Sequence, residues 1–219
     1  KGLNFSEALK EGASISGLGR TETFVIERKK PSDSITEKAE AKNKRLSAQS
    51  IVDGGRPLKE TLAEVYLKQH RGIQNPERLQ MYYWPVGAKW KALDEQGRLQ
   101  EKTNHIPALL IPAHNEKGEV TGVQRVYLDK RTGNKNTFMD CAKLSKGIIQ
   151  GSGGIIQKGQ KLGIVYLAEG PETAASIAMA NPDATVIVSF GVANFKNLGK
   201  LIKQQFPQEV VIAGDNDLK

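Results

Sequence analysis

The sequence of 219 residues contains little cysteine and histidine and no long apolar segment. Its one cysteine, Cys141, excludes an internal disulfide and a zinc ribbon, so a reducing and therefore cytoplasmic location is expected. The three histidines are too dispersed to indicate a metal site. No hydrophobic run approaches the ~18 residues that a membrane-spanning helix needs, and no signal-peptide pattern opens the chain. These absences exclude disulfide-rich secreted proteins and membrane proteins and indicate an ordinary globular protein.

Charge is distributed unevenly along the chain, which carries a formal +8 at neutral pH. Residues 1–50 have a net charge of +3, residues 51–160 of +6 and residues 161–219 of −1. A basic middle beside a slightly acidic end is typical of a protein that holds a polyanion next to a carboxylate-rich site. A solvated basic surface without a ligand accounts for the same charge equally well. The chain starts without Met and stops soon after an acidic cluster, so we expect it to be a piece of a longer protein.

The hydrophobic pattern divides the chain into three segments. Residues 1–50 are polar and lack a convincing apolar face, so a leader or linker is expected there. Residues 51–158 combine a short amphipathic helix near Leu62 with strands over Ile106–Pro112 and Val120–Leu128. These strands flank turn-forming residues at Asn115–Gly118, which predicts a hairpin. We therefore expect a basic α+β domain over residues 51–158.

Residues 159–219 alternate between short apolar runs and helical patterns. Strands are predicted at Gly163–Ala168, Thr185–Phe190 and Glu209–Ala213, with helices at Pro171–Ala180 and Asn194–Phe206. Short links between a strand, a helix and the next strand require parallel pairing through right-handed crossovers. The predicted fold class is therefore α/β, a parallel sheet preceded by a smaller α+β domain.

Acidic residues follow two of the three predicted parallel strands. Ligands of such sheets lie outside the carboxyl ends of the strands, where Glu169 follows the first strand and Asp215 and Asp217 follow the third. Taken singly, Glu169 is explained as a helix-capping acid and the aspartates as turn formers. Together, three neighbouring carboxylates repel one another unless they share a cation or a proton. Magnesium suits such oxygen ligands, and beside it Glu169 would be free to act as a general acid or base in phosphoryl transfer.

The order of Glu169-Gly170, Phe190-Gly191 and Asp215-x-Asp217 at successive strand ends resembles the Toprim domain. This domain is the catalytic module of bacterial-type primases, type IA and II topoisomerases and related nucleases. The segment Glu169–Ala174 resembles the version found in primase-like proteins of plasmids, phages and conjugative elements, with the C-terminal part of a conjugative relaxase as one candidate. The preceding block resembles the companion domain of those proteins at Gly55–Leu58, Leu62–Leu67, Arg71–Ile73, Ile106–Leu109 and Val123–Leu128. The resemblance covers about residues 51–217.

The resemblance implies a Toprim-like sheet that is incomplete at its C-terminal end, because the helix and strand that normally follow the aspartate pair are absent. It implies Glu169 as the acid–base residue and Asp215 and Asp217 as ligands of Mg²⁺, or of Mn²⁺ in its place. Gly170 and Gly191 are expected to lie at the nucleic-acid and nucleotide-binding strand ends. The implied activity is primase-like nucleotidyl transfer on single-stranded DNA from nucleoside triphosphates, in plasmid or conjugative DNA processing. Conjugation or replication proteins are the implied partners, and no membrane is involved.

Four basic residues are expected to contact template or nucleotide, namely Arg125, Lys135, Lys143 and Lys146. The last two lead into the glycine-rich segment Gly151–Gly154, whose backbone N–H groups could approach phosphate. A plain surface connection is the alternative for each of them. Two other functions stay open from the sequence: a magnesium-dependent nuclease, and a non-catalytic DNA-binding or docking module of a relaxase. A topoisomerase is disfavoured, because nothing identifies a tyrosine nucleophile.

Overall fold

The computed structural model describes residues 34–85, 89–93, 96, 99–103, 106–137, 139, 141–160, 163–206 and 209–214. The described residues from Glu37 onward belong to one compact unit. Of the preceding unit, Lys1–Thr36, only the start of a helix is described, so most of the expected leader lies outside the described residues. Asp215 and Asp217 also lie outside them.

Five α-helices and ten strands make up the described secondary structure, together with two irregular helical turns. In chain order they are α1 (Ser34–Asp53), α2 (Leu62–Val65), a π-helical turn (Tyr66–His70), a 3₁₀ turn (Pro76–Arg78), β1 (Tyr82–Trp84), β2 (Lys89–Leu93), β3 (Leu99–Thr103), β4 (Ala108–His114), β5 (Val120–Tyr127), β6 (Lys143–Gly147), β7 (Gly154–Gln157), β8 (Val165–Ala168), α3 (Pro171–Ala180), β9 (Thr185–Val188), α4 (Val192–Phe195), α5 (Gly199–Gln205) and β10 (Val210–Ala213). No described helix is both long and apolar enough to cross a membrane.

The first sheet is antiparallel and has the strand order β1-β4-β5-β6. The predicted hairpin between β4 and β5 is confirmed, and Asn115 closes its turn by accepting hydrogen bonds from the N–H groups of Lys117 and Glu119 at 3.0 and 2.9 Å. Gly118 supplies the positive φ of 79° that this turn requires. Helix α1 covers one face of the sheet through Ala48, which is fully buried. The folded domain therefore begins before residue 51, because the last turns of α1 pack their apolar side chains against the sheet.

The second sheet has the order β10-β8-β9-β7, in which the first three strands are parallel and β7 is antiparallel. The predicted α/β arrangement with a parallel sheet is thus confirmed. Strand β7 was not predicted, since its glycines were interpreted as part of a loop. The helix predicted over residues 194–206 is divided into α4 and α5. Asn197 donates its side-chain amide to the Ala193 carbonyl at 3.2 Å, and Gly199 is a poor helix former, which together favour the break.

One hydrophobic core joins the two sheets. Tyr66 and Leu109 from the first half pack in the same buried cluster as Ile156, Ala174 and Val188 from the second. Backbone hydrogen bonds between His114 and Gly153, at 2.9 and 3.0 Å, connect the ends of β4 and β7. Helix α3 is therefore held against the first sheet, which positions the strand ends described next.

Candidate functional site at the ends of the parallel strands

The three parallel strands end at the same level. Ala168 of β8 pairs with Ala213 of β10 on one side and with Val188 of β9 on the other. Glu169 therefore follows the central strand, directly between the strand that leads to Gly214 and the strand that leads to Gly191. The chain segment with Asp215 and Asp217 comes next after Gly214, outside the described residues.

Glu169 is half-buried and, among the residues that the structure describes, has no hydrogen-bond or ion-pair partner. The capping explanation for this acid does not hold, because Gly170 is the N-cap residue of α3 and no side chain caps it. Pro171 occupies the first helical position, where a missing N–H costs nothing. Among the described residues, therefore, no structural partner accounts for this half-buried carboxylate.

Glu172, in the first turn of α3, has the opposite environment. Its carboxylate accepts hydrogen bonds from Lys143 Nζ at 2.8 Å and from the Tyr66 hydroxyl at 2.9 Å. Arg71 Nε in turn donates to the Tyr66 oxygen at 3.0 Å, and its guanidinium lies 5.2 Å from the centre of the Tyr66 ring. We call Arg71, Tyr66, Glu172 and Lys143 the glutamate network. It ties the π-helical turn and β6 to helix α3.

The ionisation of the glutamate network follows from its burial and charges. Burial raises the pKa of the Glu172 carboxyl, but the hydrogen bond and positive charge of Lys143, with the Tyr66 hydroxyl, outweigh it and hold that pKa below the usual value. Burial, followed by the negative charge of Glu172, raises the pKa of Tyr66. Tyr66 is therefore a neutral hydrogen-bond donor and Glu172 an ionised acceptor at neutral pH.

The end of β9 carries the most unusual backbone of the site. Phe190 has φ of 65° and Gly191 has φ of 132°, both outside the range that side chains favour. A Cβ added to Gly191 would meet no atom of the described residues within 4 Å. Asn194, only 7 % exposed, fixes the turn by donating to the Ser189 carbonyl at 2.9 Å. Residues in strained conformations that the surroundings enforce are concentrated at binding sites.

The predicted basic contacts are divided between two faces of the first sheet. Lys143 pairs with Val126, whose side chain faces the core shared with α3, whereas Lys146 pairs with Val123 on the face covered by α1. Arg125 lies on the α1 side as well, 5.5 Å from the centre of the Tyr127 ring, and its Nε has no hydrogen-bond partner. Cross-strand neighbours point to the same side of a sheet, so these three residues do not form one surface.

Gly170 and Lys135, which were also predicted as contacts, lie at different places in the structure. Gly170 lies beside the glutamate network: a Cβ there would be 3.6 Å from Glu172 Oε2 and 3.8 Å from Lys143 Nζ. Lys135 is half-buried and forms an isolated antiparallel β-bridge with Leu128. Of the predicted basic residues, the structure therefore brings Lys143 next to the strand end of β8.

The interpretation of the glycine-rich segment as a phosphate-binding loop is wrong for its first three N–H groups. Gly151 N–H donates to Asn194 Oδ1 at 2.9 Å, Ser152 N–H to the Ile149 carbonyl at 2.9 Å and Gly153 N–H to the His114 carbonyl at 3.0 Å. The glycines are needed for close packing instead. A Cβ on Gly154 would lie 2.7 Å from the Phe190 ring.

Residues of the glutamate network other than Lys143 were missed by sequence reasoning. Tyr66, Arg71 and Glu172 all stand inside stretches that carry the family resemblance, but no role was assigned to them. Within the described part of the chain, no group of three or more His, Cys, Asp or Glu side chains could hold a metal ion. The expected metal ligands Asp215 and Asp217 are not part of that search.

Family comparisons agree with this architecture. Residues 164–219 match the Toprim domain, so the chain carries the domain that its strand-end motifs predicted. Residues 42–156 match the family described as "Domain of unknown function (DUF7146)". Because that match covers just over half of the chain, the protein belongs to this family. No curated protein sequence matches the chain.

Solved structures of bacterial primases are similar to this chain at low identity. They are the RNA polymerase domain of Mycobacterium tuberculosis primase DnaG (12 % identity, TM-score 0.46, 83 % of this chain and 67 % of that chain), the Escherichia coli primase catalytic core (12 %, 0.45, 78 % and 61 %), and the Aquifex aeolicus primase zinc-binding and RNA polymerase domains (16 %, 0.49, 97 % and 54 %). The chain thus spans between about half and two thirds of the length of these primase structures.

Proposed function

We propose that this chain is the Toprim portion of a primase-like enzyme that joins nucleotides into a primer on single-stranded DNA, in plasmid or conjugative DNA processing. The observation that carries the proposal is the carboxylate of Glu169, half-buried and unpartnered among the described residues at the end of the central parallel strand. The Toprim match over residues 164–219 supports the same class of chemistry. An acid kept free of structural partners at this position is available for proton transfer.

Mg²⁺ is the cofactor that suits the carboxylates proposed for this site. Asp215 and Asp217 would hold it, with Mn²⁺ as a substitute, because hard cations prefer carboxylate oxygen. Glu169 would lie beside the ion as the acid–base residue, and among the described residues no cation pairs with it, since Lys143 is paired with Glu172. The ion would offset the negative charge of the nucleotide phosphates.

Glu169 is proposed to move the proton of the reaction. A carboxylate oxygen of Glu169 accepts the proton of the primer 3′-hydroxyl. At the same time the hydroxyl oxygen forms a bond to the α-phosphorus of the incoming nucleotide, and pyrophosphate leaves. Gly170 and Gly191 flank this acid without bulky side chains, so nucleotide can approach the strand ends. Lys143 is proposed as a nucleic-acid contact beside the site, and Arg125, Lys135 and Lys146 are proposed as nucleic-acid contacts at other places on the protein.

The test uses the full-length protein with a single-stranded template, Mg²⁺ and labelled nucleotides. Replacing a general base lowers the rate by roughly 10²–10⁴-fold, so Glu169→Gln should reduce primer synthesis to that extent. The control is Glu209→Gln, which changes an exposed acid just before β10. Equal synthesis by Glu169→Gln and the wild-type protein would refute the role of Glu169.

Two further measurements separate the remaining alternatives. Nicking of single-stranded DNA without added nucleotides, lost in Glu169→Gln, would indicate a nuclease instead. Salt-sensitive DNA binding that survives Asp215→Asn and Asp217→Asn, with no bound Mg²⁺ and no synthesis, would indicate a non-catalytic docking module.

A further inference from the structure

An open cavity of about 650 Å³ lies outside the glutamate network, none of whose residues lines it. Helix α1, the β4–β5 turn, the segment after β6 and the α4–α5 junction form its walls. Three of the residues that line it are basic, Arg45, Lys196 and Lys200, and one, Glu116, is acidic. Its volume is within the range of small-molecule binding sites.

The basic residues of the cavity are not used by the fold. Among the described residues, Arg45, Lys196 and Lys200 make no hydrogen bond and no ion pair, in contrast to Lys68 and Lys143, which pair with glutamates. All three are exposed, and with Glu116 the lining has a formal net charge of +2. Cations gathered around one concavity raise the local concentration of anions.

Hydrogen bonds hold the walls of the cavity in place without any ligand. Gln205 donates to the carbonyls of Asn115 and Glu116 at 3.2 and 2.9 Å, which fixes the β4–β5 turn against α5. The Thr121 hydroxyl donates to Ser152 Oγ at 2.7 Å. Preformed walls reduce the entropy that a ligand loses on binding.

One buried side chain connects the cavity to the strand ends. Asn194 binds the carbonyls of Ile149 and Ser152, at 3.2 and 3.0 Å, and also the carbonyl of Ser189 at the end of β9. The cavity wall and the Gly191 turn are therefore joined by the hydrogen bonds of one side chain. A ligand in the cavity would contact a wall that is connected to the end of β9.

We propose that this cavity binds phosphate groups of the nucleic-acid strand or nucleotide on which the strand-end site acts. Arg45, Lys196 and Lys200 contact the phosphate oxygens, and Glu116 limits the affinity. The identity of the phosphate source rests on the proposed function. The binding of a phosphate oxyanion by three cations that have no other partner among the described residues does not depend on the proposed function.

The first experiment measures binding of a fluorescein-labelled oligothymidylate to the 219-residue chain by fluorescence anisotropy over a series of salt concentrations, with EDTA and without nucleotides. Each phosphate contact on a single strand contributes about 0.7 to the slope of log K against log salt, so the triple variant Arg45→Gln, Lys196→Gln, Lys200→Gln should lower the slope by about 2. The control triple variant Lys59→Gln, Lys130→Gln, Lys203→Gln removes the same charge from exposed residues outside the cavity lining and should lower it much less. Equal slopes for the two triple variants would overturn the proposal.

A second pair of variants tests the cavity by the sign of the effect. Glu116→Gln should strengthen oligothymidylate binding, because it removes the acid of the lining, whereas Lys196→Gln alone should lower the slope by about 0.7. The single variant keeps the proposal testable if the triple variant fails to fold, which circular dichroism would show. Weaker binding by Glu116→Gln contradicts the proposal.

The source of the phosphate is identified by competition. Displacement of the oligothymidylate by ATP, with a competition constant that rises in the Arg45/Lys196/Lys200 triple variant, assigns the cavity to a nucleoside triphosphate. Loss of oligothymidylate affinity in that variant without a change in ATP affinity assigns it to the DNA strand. These binding measurements are made with EDTA and without primer synthesis, so none of them depends on the catalytic role of Glu169. Absence of primer synthesis therefore refutes the proposed function alone, and an unchanged salt slope refutes the cavity proposal alone.

Discussion

The hydrogen bond between Tyr66 and Glu172 joins residues 106 positions apart and is a sensitive test of how the two sheets are held together. Glu172→Gln removes the charge that Lys143 faces, and the Glu172 side chain is only 17 % exposed. A hydrogen bond to a charged group contributes about 1.5–3 kcal/mol, and since Lys143 is 33 % exposed we expect a loss of about 2 kcal/mol. Tyr66→Phe should cost about 1.5 kcal/mol, since it removes one donor to the same carboxylate.

The double variant distinguishes a shared interaction from two separate ones. If the hydroxyl stabilises the protein through Glu172, Tyr66→Phe with Glu172→Gln should cost about 1 kcal/mol less than the sum of the single changes. Urea unfolding followed by circular dichroism supplies the three free energies. A coupling below about 0.3 kcal/mol would refute the reasoning, because that is the deviation from additivity expected of unconnected sites. Glu209→Gln is the control, since Glu209 is exposed and its carboxylate has no ion pair among the described residues, so this change should have a much smaller effect.

The ionised Glu172 carboxylate also predicts how the stability of the protein changes with pH. The pKa of Glu172 is lower in the folded protein than its ordinary value of 4.5, so its stabilisation is complete above pH 4.5 and is lost as pH falls through the folded pKa. The difference in stability between wild-type protein and Glu172→Gln should therefore be constant from pH 7 to 5 and shrink in more acidic buffer. A difference that grows in acid would contradict the assigned ionisation.

Three further outcomes are expected of the strand-end region and its supports. Gly191→Ala should cost about 1–3 kcal/mol of unfolding free energy because of the φ of 132° at that position. Gly199→Ala, where an added Cβ also meets no described atom within 4 Å, should be neutral or stabilising. Equal effects of the two changes on unfolding free energy would contradict this reasoning. Asn194→Ala should cost more than about 3 kcal/mol in urea unfolding, since it leaves several backbone groups without a partner; a loss below 1 kcal/mol would mean that water replaces the amide. Burial and the charge of Lys158 lower the pKa of His114 below 6.5, so stability should fall as pH falls below that value, and His114→Gln should lack this pH dependence in thermal melts.

The parallel sheet was predictable because its signals are local. Four-residue apolar strands alternate with helices through short links, and that order permits one topology. Pro171 marks the start of α3, and Asn115 with Gly118 marks the hairpin turn, each through backbone chemistry that one or two residues determine. Glu169 could be placed at a strand end for the same reason.

What could not be predicted depends on residues far apart in sequence. The Tyr66–Glu172 contact and the shared core around Ile156 require the folded arrangement of both sheets, which no local pattern encodes. The division of Lys143 and Lys146 between two faces is a different case. Residues three apart in a strand point to opposite sides, so the division follows directly once the segment is known to be a strand. It was missed because the segment was interpreted as leading into a loop.

Glu169 and Glu172 lie close together in sequence at the start of α3 but have different environments. Both lie at the positive end of α3, which stabilises negative charge at either position. Lys143 Nζ lies 3.8 Å from where a Cβ of Gly170, the residue after Glu169, would be. It pairs with Glu172, which also accepts a hydrogen bond from the Tyr66 hydroxyl. The network therefore joins the two sheets and pairs the nearby ammonium group with Glu172.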